Sequence, residues 1–210
     1  MTPYTPPAKP VRPRNAASLV IYEKRGNELF VLMGKRAKGH RFLPDVFVFP
    51  GGRVDTDDFH LPVQSPLRQE VSDRLSSPGN MAHAIATAAI RETFEETGLI
   101  VGDLIKDQLV PDLSNLDYVV RAITPIQSPI RFDTRFLTLD AHHANGNLGG
   151  SGELIDLQWF SINAALNMPL VDLTEFVLQE IEQRLTEKNS TSDKIPLFTY
   201  LRGKPFIRRG

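Results

Sequence analysis

The 210-residue sequence predicts an α+β fold with a mixed β-sheet, and three observations lead there. Short runs of Val, Ile, Leu and Phe recur between Gly, Pro and Asn turn signals, as half-buried strands do. One stretch, from Met81 to Thr97, carries sustained helical character and ends at a glycine. Strands and helices do not alternate in regular βαβ order, and no internal repeat is visible, which argues against a doubly wound or solenoid architecture.

The elements follow in chain order. Residues 1–14 carry Pro3, Pro6, Pro7, Pro10 and Pro13 and read as an extended arm. Ala17–Glu23 and Glu28–Gly34 read as a hairpin turning through Lys24-Arg25-Gly26-Asn27, with Gly-Asn as the turn signal. Residues 45–49, DVFVF, form a further strand, stopped by Pro50-Gly51-Gly52. Residues 53–79, rich in Asp, Pro and Ser, read as irregular. The helix Met81–Thr97 stops at Gly98, which tolerates the left-handed C-terminal cap. Arg135–Leu139 is β-like and precedes the glycine-rich loop His142–Gly152. Residues 153–160, ELIDLQWF, form a strand. Ser161–Leu166 and Leu173–Leu185 are helical, the second through Phe176, Leu178, Ile181 and Leu185. The expected organisation is a single domain over 15–210, with 53–83 as an excursion near the site, a lid or specificity wall, and 186–210 as a tail.

Composition excludes several classes. Hydrophobic residues at 41% and charged residues at 23% are close to a soluble globular average, so wholesale disorder and a coiled coil are excluded. The longest apolar runs, such as Ala16–Ile21, fall far short of a membrane span. The opening MTPYTPPAKPVRPR lacks the apolar core of a secretory signal. A net charge of −1 provides no basic field for nucleic acid. The absence of cysteine removes disulfides, thiolate metal sites and a cysteine nucleophile, and fits a reducing compartment such as the cytoplasm.

The chemistry concentrates in Arg91-Glu92-Thr93-Phe94-Glu95-Glu96-Thr97-Gly98-Leu99. At ~100° per residue, Glu92, Glu95 and Glu96 share one ~100° sector of the helix, opposite Ala86, Ile90 and Phe94, which are expected in the core. Like charges one turn apart repel by roughly 0.2–0.5 kcal/mol on an isolated helix. A hard divalent cation would offset that repulsion, and an all-oxygen donor set suits Mg²⁺ or Mn²⁺ rather than zinc. Upstream, Phe49-Pro50-Gly51-Gly52 ends a strand in a sharp turn whose carbonyls can reach the same ion.

FPGG followed by RExxEExG resembles the Nudix hydrolase signature, G-x5-E-x7-R-E-U-x-E-E-x-G-U. The resemblance implies an α/β/α sandwich with a mixed sheet. It covers roughly residues 15–165 and departs from the signature in two places. Counted from Gly52, the Arg of the RE pair would stand at position 66; it stands at 91, so about 25 residues are inserted. The early Glu that holds this Arg in the family has no counterpart: direct spacing from Gly52 gives Asp58 and counting back from Arg91 gives His83. Asp55, Asp57 and Asp58 are the candidates to take its place. The aliphatic position of the signature is Thr93. A box split after FPGGRVDTDD, with Ile123-Thr124-Pro125 and Arg131-Phe132-Asp133-Thr134 downstream, is similar to the subgroup of peroxisomal coenzyme A diphosphatases. Upstream, LMGKRAKGHRFLPDVFVFPGG matches the motif of coenzyme A-cleaving members at Leu32, Arg36, Ala37, Arg41 and FPGG, and differs at Met33, Gly34 and Asp45.

The resemblance implies Mg²⁺-assisted hydrolysis of a diphosphate in a nucleotide derivative, with coenzyme A or acyl-coenzyme A as the favoured substrate. ADP-ribose, nucleotide sugars and dinucleotides are the alternatives within the family, and a non-catalytic nucleotide sensor is the alternative outside enzymology. It implies Glu92 and Glu96 as metal ligands, Glu95 as ligand or neighbour, the Gly52 carbonyl as a further ligand, and Arg91 as the residue orienting the carboxylates. Glu153, six residues before Trp159, is the candidate general base. Arg36 and Arg41, with the backbone at Gly51 and Gly52, are candidates to hold phosphates. The expected partner is a small-molecule nucleotide, with neither nucleic acid nor membrane, and the proline-rich arm is free to wrap a second copy in a homodimer. Trp159 and Phe160 are expected to pack in the core, His142 and His143 to lie on the surface, and Arg202, Lys204, Arg208 and Arg209 to form a solvated or acid-paired basic tail.

Overall fold

Side-chain alternation along the first strand decides how the layers form. The computed structural model describes residues 11–37, 39, 44–76, 79–149, 152–186 and 194–209. Residues 1–10 of the proline-rich arm, and Arg41, lie outside these. In β1 (Arg14–Arg25), Ala17, Leu19 and Ile21 enter one buried cluster and Val20 another, because successive residues of a strand face opposite sides. β2 (Glu28–Arg36) returns antiparallel with Arg25 opposite Glu28, so Gly26-Asn27 forms the turn, with Gly26 at φ 61°. The hairpin stands where its turn signal placed it.

The run at 45–49 does not form one strand. Asp45 adopts a positive φ, and only Phe47–Val48 (β3) pairs, on the edge of β2. Pro50 then turns the chain so that Gly51–Arg53 (β4) pairs with β1, Gly51 opposite Ser18 and Gly52 opposite Ala17. The glycines expected to stop a strand build one, since a Cβ on Gly51 would collide with the Ala17 carbonyl. The Ser18 hydroxyl donates to the Pro50 carbonyl at 2.8 Å and fixes the turn.

The excursion after β4 is more ordered than its composition predicts. A 3-10 turn at Asp57–Phe59 precedes α1 (Gln69–Leu75). Val71 and Leu75 are buried in the same cluster as α2 (Ala82–Thr97), and Arg68 holds the Leu116 carbonyl and the Asp117 carboxylate. The segment around α1 is therefore a packed layer of the fold. One apolar i,i+4 pair in seven residues, without a capping side chain, leaves little signal in the sequence. α2 ends as predicted, with Gly98 at φ 75°. Its buried face differs: Thr93 and Thr97 are fully covered, their hydroxyls donating to the Ala89 and Thr93 carbonyls, whereas Phe94 is only half-buried. Five buried alanines, at 82, 84, 86, 88 and 89, let this helix lie close on the sheet at little cost in side-chain entropy.

Downstream, β5 (Gly102–Ile105) and β6 (Gln108–Pro111) form a separate hairpin. β7 (Asp117–Ile123) and β8 (Phe132–Asp140) pair antiparallel, and β8 runs parallel to β1. β9 (Leu154–Ser161) adds to the other side of β2. α3 (Ile162–Leu166) is capped by the Ser161 hydroxyl, which accepts from the Ala164 N–H. α4 (Asp172–Thr186) follows. The expected tail contributes two strands, β10 (Pro196–Leu201) and β11 (Lys204–Arg209), extending the sheet beyond β7. The nine-stranded sheet is mixed, in the order β11-β10-β7-β8-β1-β2-β3, with β4 on β1 and β9 on β2. α1 and α2 bury against one face and α3 and α4 against the other. This is an α/β/α sandwich, and the α+β expectation holds.

One ion network ties the last strand to the helical layer. Glu180, only 3% exposed, accepts from Arg184 Nε at 3.0 Å and from Arg209 Nη1 and Nη2 at 3.1 and 2.7 Å. Burial raises the Glu180 pKa, but the Arg209 and Arg184 hydrogen bonds and charges outweigh it and hold it below the ordinary value of 4.5. A carboxyl with a depressed folded pKa contributes stability above its unfolded pKa and loses it as pH falls through the folded value. Glu180→Gln is expected to cost about 1–3 kcal/mol at pH 7 and to flatten the acid limb of stability below about pH 4.5. Urea melts from pH 7 to pH 3 check this; a mutant limb as steep as wild type would refute it.

Candidate active site

The site grows from the meeting of the β4 turn with the last two turns of α2. Gly52 faces Glu92 so closely that a Cβ there would sit inside its carboxylate. One residue earlier, the Gly51 N–H donates to Glu96 Oε2 at 2.8 Å. Gly51 and Gly52 thus meet Glu92 and Glu96 at one point. Glu95 stands apart: its side chain is half exposed and, among the described residues, reaches only Arg91, at 3.3 and 3.4 Å.

Arg91 is the hub. Its Nε and Nη2 grip Asp58 Oδ1 and Oδ2 at 2.8 and 3.0 Å, a two-point clamp. Nη1 donates to Glu92 at 3.0 Å, and Nη2 also donates to the Arg53 carbonyl at 3.0 Å. Asp58 is 1% exposed and is itself fixed by the Asp55 N–H at 2.7 Å. Among the three aspartates proposed to replace the missing early Glu, Asp58 makes the clamp; Asp55 lies 3.9 Å from Arg91. His83 instead contacts the Leu61 carbonyl. The insertion therefore begins after the residue that holds Arg91, and direct spacing from Gly52 was the informative count. Two groups escaped the sequence reading, the Arg53 carbonyl and the Asp55 N–H, because backbone contacts leave no residue-type signature.

Electrostatics explain what the cluster is short of. Burial works against the Arg91 charge, but the Asp58 hydrogen bonds and the charges of Glu92, Asp58 and Glu95 raise its pKa above the ordinary value. Glu92 is raised by burial, only partly offset by Arg91. Glu96, 8% exposed, is pushed up to about 8: burial raises it most, the Gly51 N–H and Arg36 lower it, and Glu92 and Glu153 raise it. Burial lowers Arg36, while Glu96 and Glu153 support its charge. Arg36, Glu96 and Glu153 thus belong to one neighbourhood, with Glu153 brought in by its carbonyl, which accepts from the Ala37 N–H at 3.2 Å.

Among the described residues no three His, Asp or Glu side chains are gathered closely enough to hold a metal ion. The helical triplet read as one cluster is divided, because Arg91 engages Glu92 and Glu95 while Glu96 turns to Gly51. Two carboxylates raised by burial beside a glycine turn nevertheless form an all-oxygen donor set suited to a hard divalent cation. Gly52 leaves room for the Glu92 carboxylate beside the turn, and Glu92 and Glu96 fit the role better than exposed Glu95.

The family model described as NUDIX domain matches residues 12–179. A crystal structure of a NUDIX hydrolase from Alicyclobacillus acidocaldarius superimposes with a TM-score of 0.62 at 27% identity, covering 80% of this chain and 90% of that one. An acyl-coenzyme A diphosphatase of Xenopus laevis is 33% identical over 96 residues, 34% of this chain and 25% of the relative. A putative nudix hydrolase 7 of Caenorhabditis elegans is 27% identical over 170 residues, 80% of this chain and 45% of the relative. The chain spans less than half the length of either curated relative.

Proposed function

The chain belongs to the NUDIX family, and from that premise we propose that it hydrolyses a diphosphate linkage in a nucleotide derivative with the help of Mg²⁺ or Mn²⁺, coenzyme A or acyl-coenzyme A being the favoured substrate. The observation that carries the reading is the convergence of Glu92 on Gly52 and of Glu96 on the Gly51 N–H, held by the Arg91–Asp58 clamp.

Glu92 and Glu96 would hold the cation, with the Gly52 carbonyl as a further donor and Glu95 at its margin. The cation would neutralise charge on the diphosphate and activate water. Arg91 acts through the carboxylates: anchored by Asp58, it fixes the orientation of Glu92 rather than touching substrate. Arg36, beside Glu96 and Glu153, would hold a phosphate; Arg41, outside the described residues, shares that proposed role. Glu153 is the proposed general base. Glu153→Gln is expected to abolish the acidic limb of the pH–rate profile; a retained limb would assign the base elsewhere.

Three features support the coenzyme A reading: the partial upstream motif at Leu32, Arg36, Ala37 and FPGG, the split box, and the likeness to an acyl-coenzyme A diphosphatase. The lack of cysteine supports a reducing compartment, and we place the protein in the cytoplasm. No helix among the described residues is long and apolar enough to cross a membrane. The test is mass spectrometry of coenzyme A incubated with the protein and Mg²⁺. Appearance of 3′,5′-ADP and 4′-phosphopantetheine is expected. Intact coenzyme A with cleavage of ADP-ribose or a nucleotide sugar would redirect the substrate, and binding without turnover of any diphosphate would favour a sensor.

A further inference from the structure

At the start of β7 the two helical layers come together around the edge of the sheet. β10 pairs with β7 at Arg121 and Ala122. Beside Asp117 and Val119, before that pairing begins, a cavity of about 160 Å³ is lined by Arg74 from α1 and by Ile181, Arg184 and Leu185 from α4. β8 and β1 separate β7 from β4, which carries Gly51 and Gly52, so the cavity stands apart from the carboxylates. Thr138, opposite Asp117 in the sheet, also lines it. Thr138 is 5% exposed, and its hydroxyl has no hydrogen-bond partner among the described residues. A buried polar group without a partner is uncommon in a folded protein and marks a place that a ligand or water completes.

Charge decides what fits there. Arg74 donates from Nε to the Glu70 carbonyl at 3.0 Å. Arg184 donates from Nε to Glu180 at 3.0 Å and from Nη2 to the Lys194 carbonyl at 3.2 Å. Nη1 and Nη2 of Arg74 and Nη1 of Arg184 have no acceptor among the described residues. The one carboxylate in the lining, Asp117, is held by Arg68, and Arg184 shares Glu180 with Arg209, so the lining keeps an excess of positive charge. Two guanidinium groups with donors to spare suit the paired oxygens of an acid group. Val119, Ile181 and Leu185 form the rest of the wall, an apolar side that a bare oxyanion leaves unused. A cavity of about 150 Å³ is known to hold a benzene molecule, so this one has room for an acid group and a short carbon chain.

We propose that this cavity binds a small organic acid, its carboxylate on Arg74, Arg184 and the Thr138 hydroxyl and its short carbon chain against Val119, Ile181 and Leu185. The site does not depend on the diphosphatase reading, and its occupant ties α1 to α4 across the edge of the sheet. The experiment titrates the ¹⁵N-labelled full chain, without divalent cation, with butyrate, following the Thr138 amide and the Arg74 and Arg184 Nε–H signals. Saturable shifts at these positions are expected, with a Kd on the order of 1 mM for so small a ligand. Butylammonium, similar in shape and opposite in charge, is expected to leave them unmoved. Inorganic phosphate, which lacks the carbon chain, is expected to bind about tenfold more weakly than butyrate. Arg74→Gln is expected to weaken butyrate about tenfold, as loss of a charged hydrogen-bond donor would. Thr138→Val, which keeps the side chain's shape and removes its hydroxyl, is expected to weaken it about fivefold and provides the test should the first variant fail to fold. Absent shifts, shifts confined to Gly51 and Gly52, equal binding of butylammonium or of phosphate, or unchanged affinity in the folded variants would overturn the proposal.

Discussion

Glu96→Gln is expected to lower kcat by on the order of 100-fold or more while leaving the fold in place. Loss of a partner that merely orients a metal ligand costs about 10–100-fold in metal affinity or activity, and Glu96 is proposed as a ligand itself. Gln preserves the side chain's shape and can still accept from the Gly51 N–H, the 2.8 Å bond that seats it. It removes the carboxylate that would ionise on the cation, and among the described residues Glu92 is already engaged by Arg91. Burial raises the Glu96 pKa to about 8, so an uncharged amide suits the site without a cation, and thermal stability there is expected to be unchanged or slightly higher. The checks are steady-state kinetics with saturating Mg²⁺ and a thermal melt of the same preparation. Undiminished kcat would remove Glu96 from the proposed metal site; lost activity with a lowered melting temperature would make its role structural.

Asp58→Ala is expected to cost about 3–5 kcal/mol, the usual penalty for stripping the partner from a buried ion pair. Arg91 would lose both arms of its clamp, and the Asp55 N–H would lose its acceptor. Against a total stability of roughly 5–15 kcal/mol for a domain, that loss is large. Activity should fall as well, because a released Arg91 keeps its contacts to Glu92 and Glu95 and is free to cover the carboxylates it now holds apart. Asp58→Glu supplies the residue that the family signature carries and is expected to recover much of both losses. Urea denaturation and kcat measured on the three proteins decide the matter. Wild-type stability in Asp58→Ala would mean that the clamp contributes nothing, and failure of Glu to rescue would show that the shorter side chain is required by the turn at Asp57–Phe59.

How much of this was legible beforehand can be judged residue by residue. The hairpin through Gly26-Asn27, the stop of α2 at Gly98 and the two helices expected at Ser161–Leu166 and Leu173–Leu185, found at Ile162–Leu166 and Asp172–Thr186, follow from local rules, because turns, caps and helix faces depend on a few adjacent residues. The convergence of the FPGG turn with Glu92 and Glu96 was legible through the Nudix signature. Periodicity alone supplied the shared sector of the three glutamates, but not that Arg91 would divide them.

Local pattern was enough for the mixed α+β class, for the helix that bears Glu92, Glu95 and Glu96, and for a short list of aspartates to hold Arg91. Tertiary structure alone selected Asp58 from that list, made a strand of Gly51–Arg53, covered Thr93 and Thr97 while leaving Phe94 at the margin, and drew β10 and β11 out of an apparent tail. It also brought Trp159 beside Leu148, Leu99 and Ile21. The reason is common to all of these. Caps, turns and helix faces are decided within a few residues, whereas a strand's partner, a buried ion pair and a cavity wall depend on groups far apart in the chain, whose meeting is chosen by the packing of the whole sheet between its two helical layers.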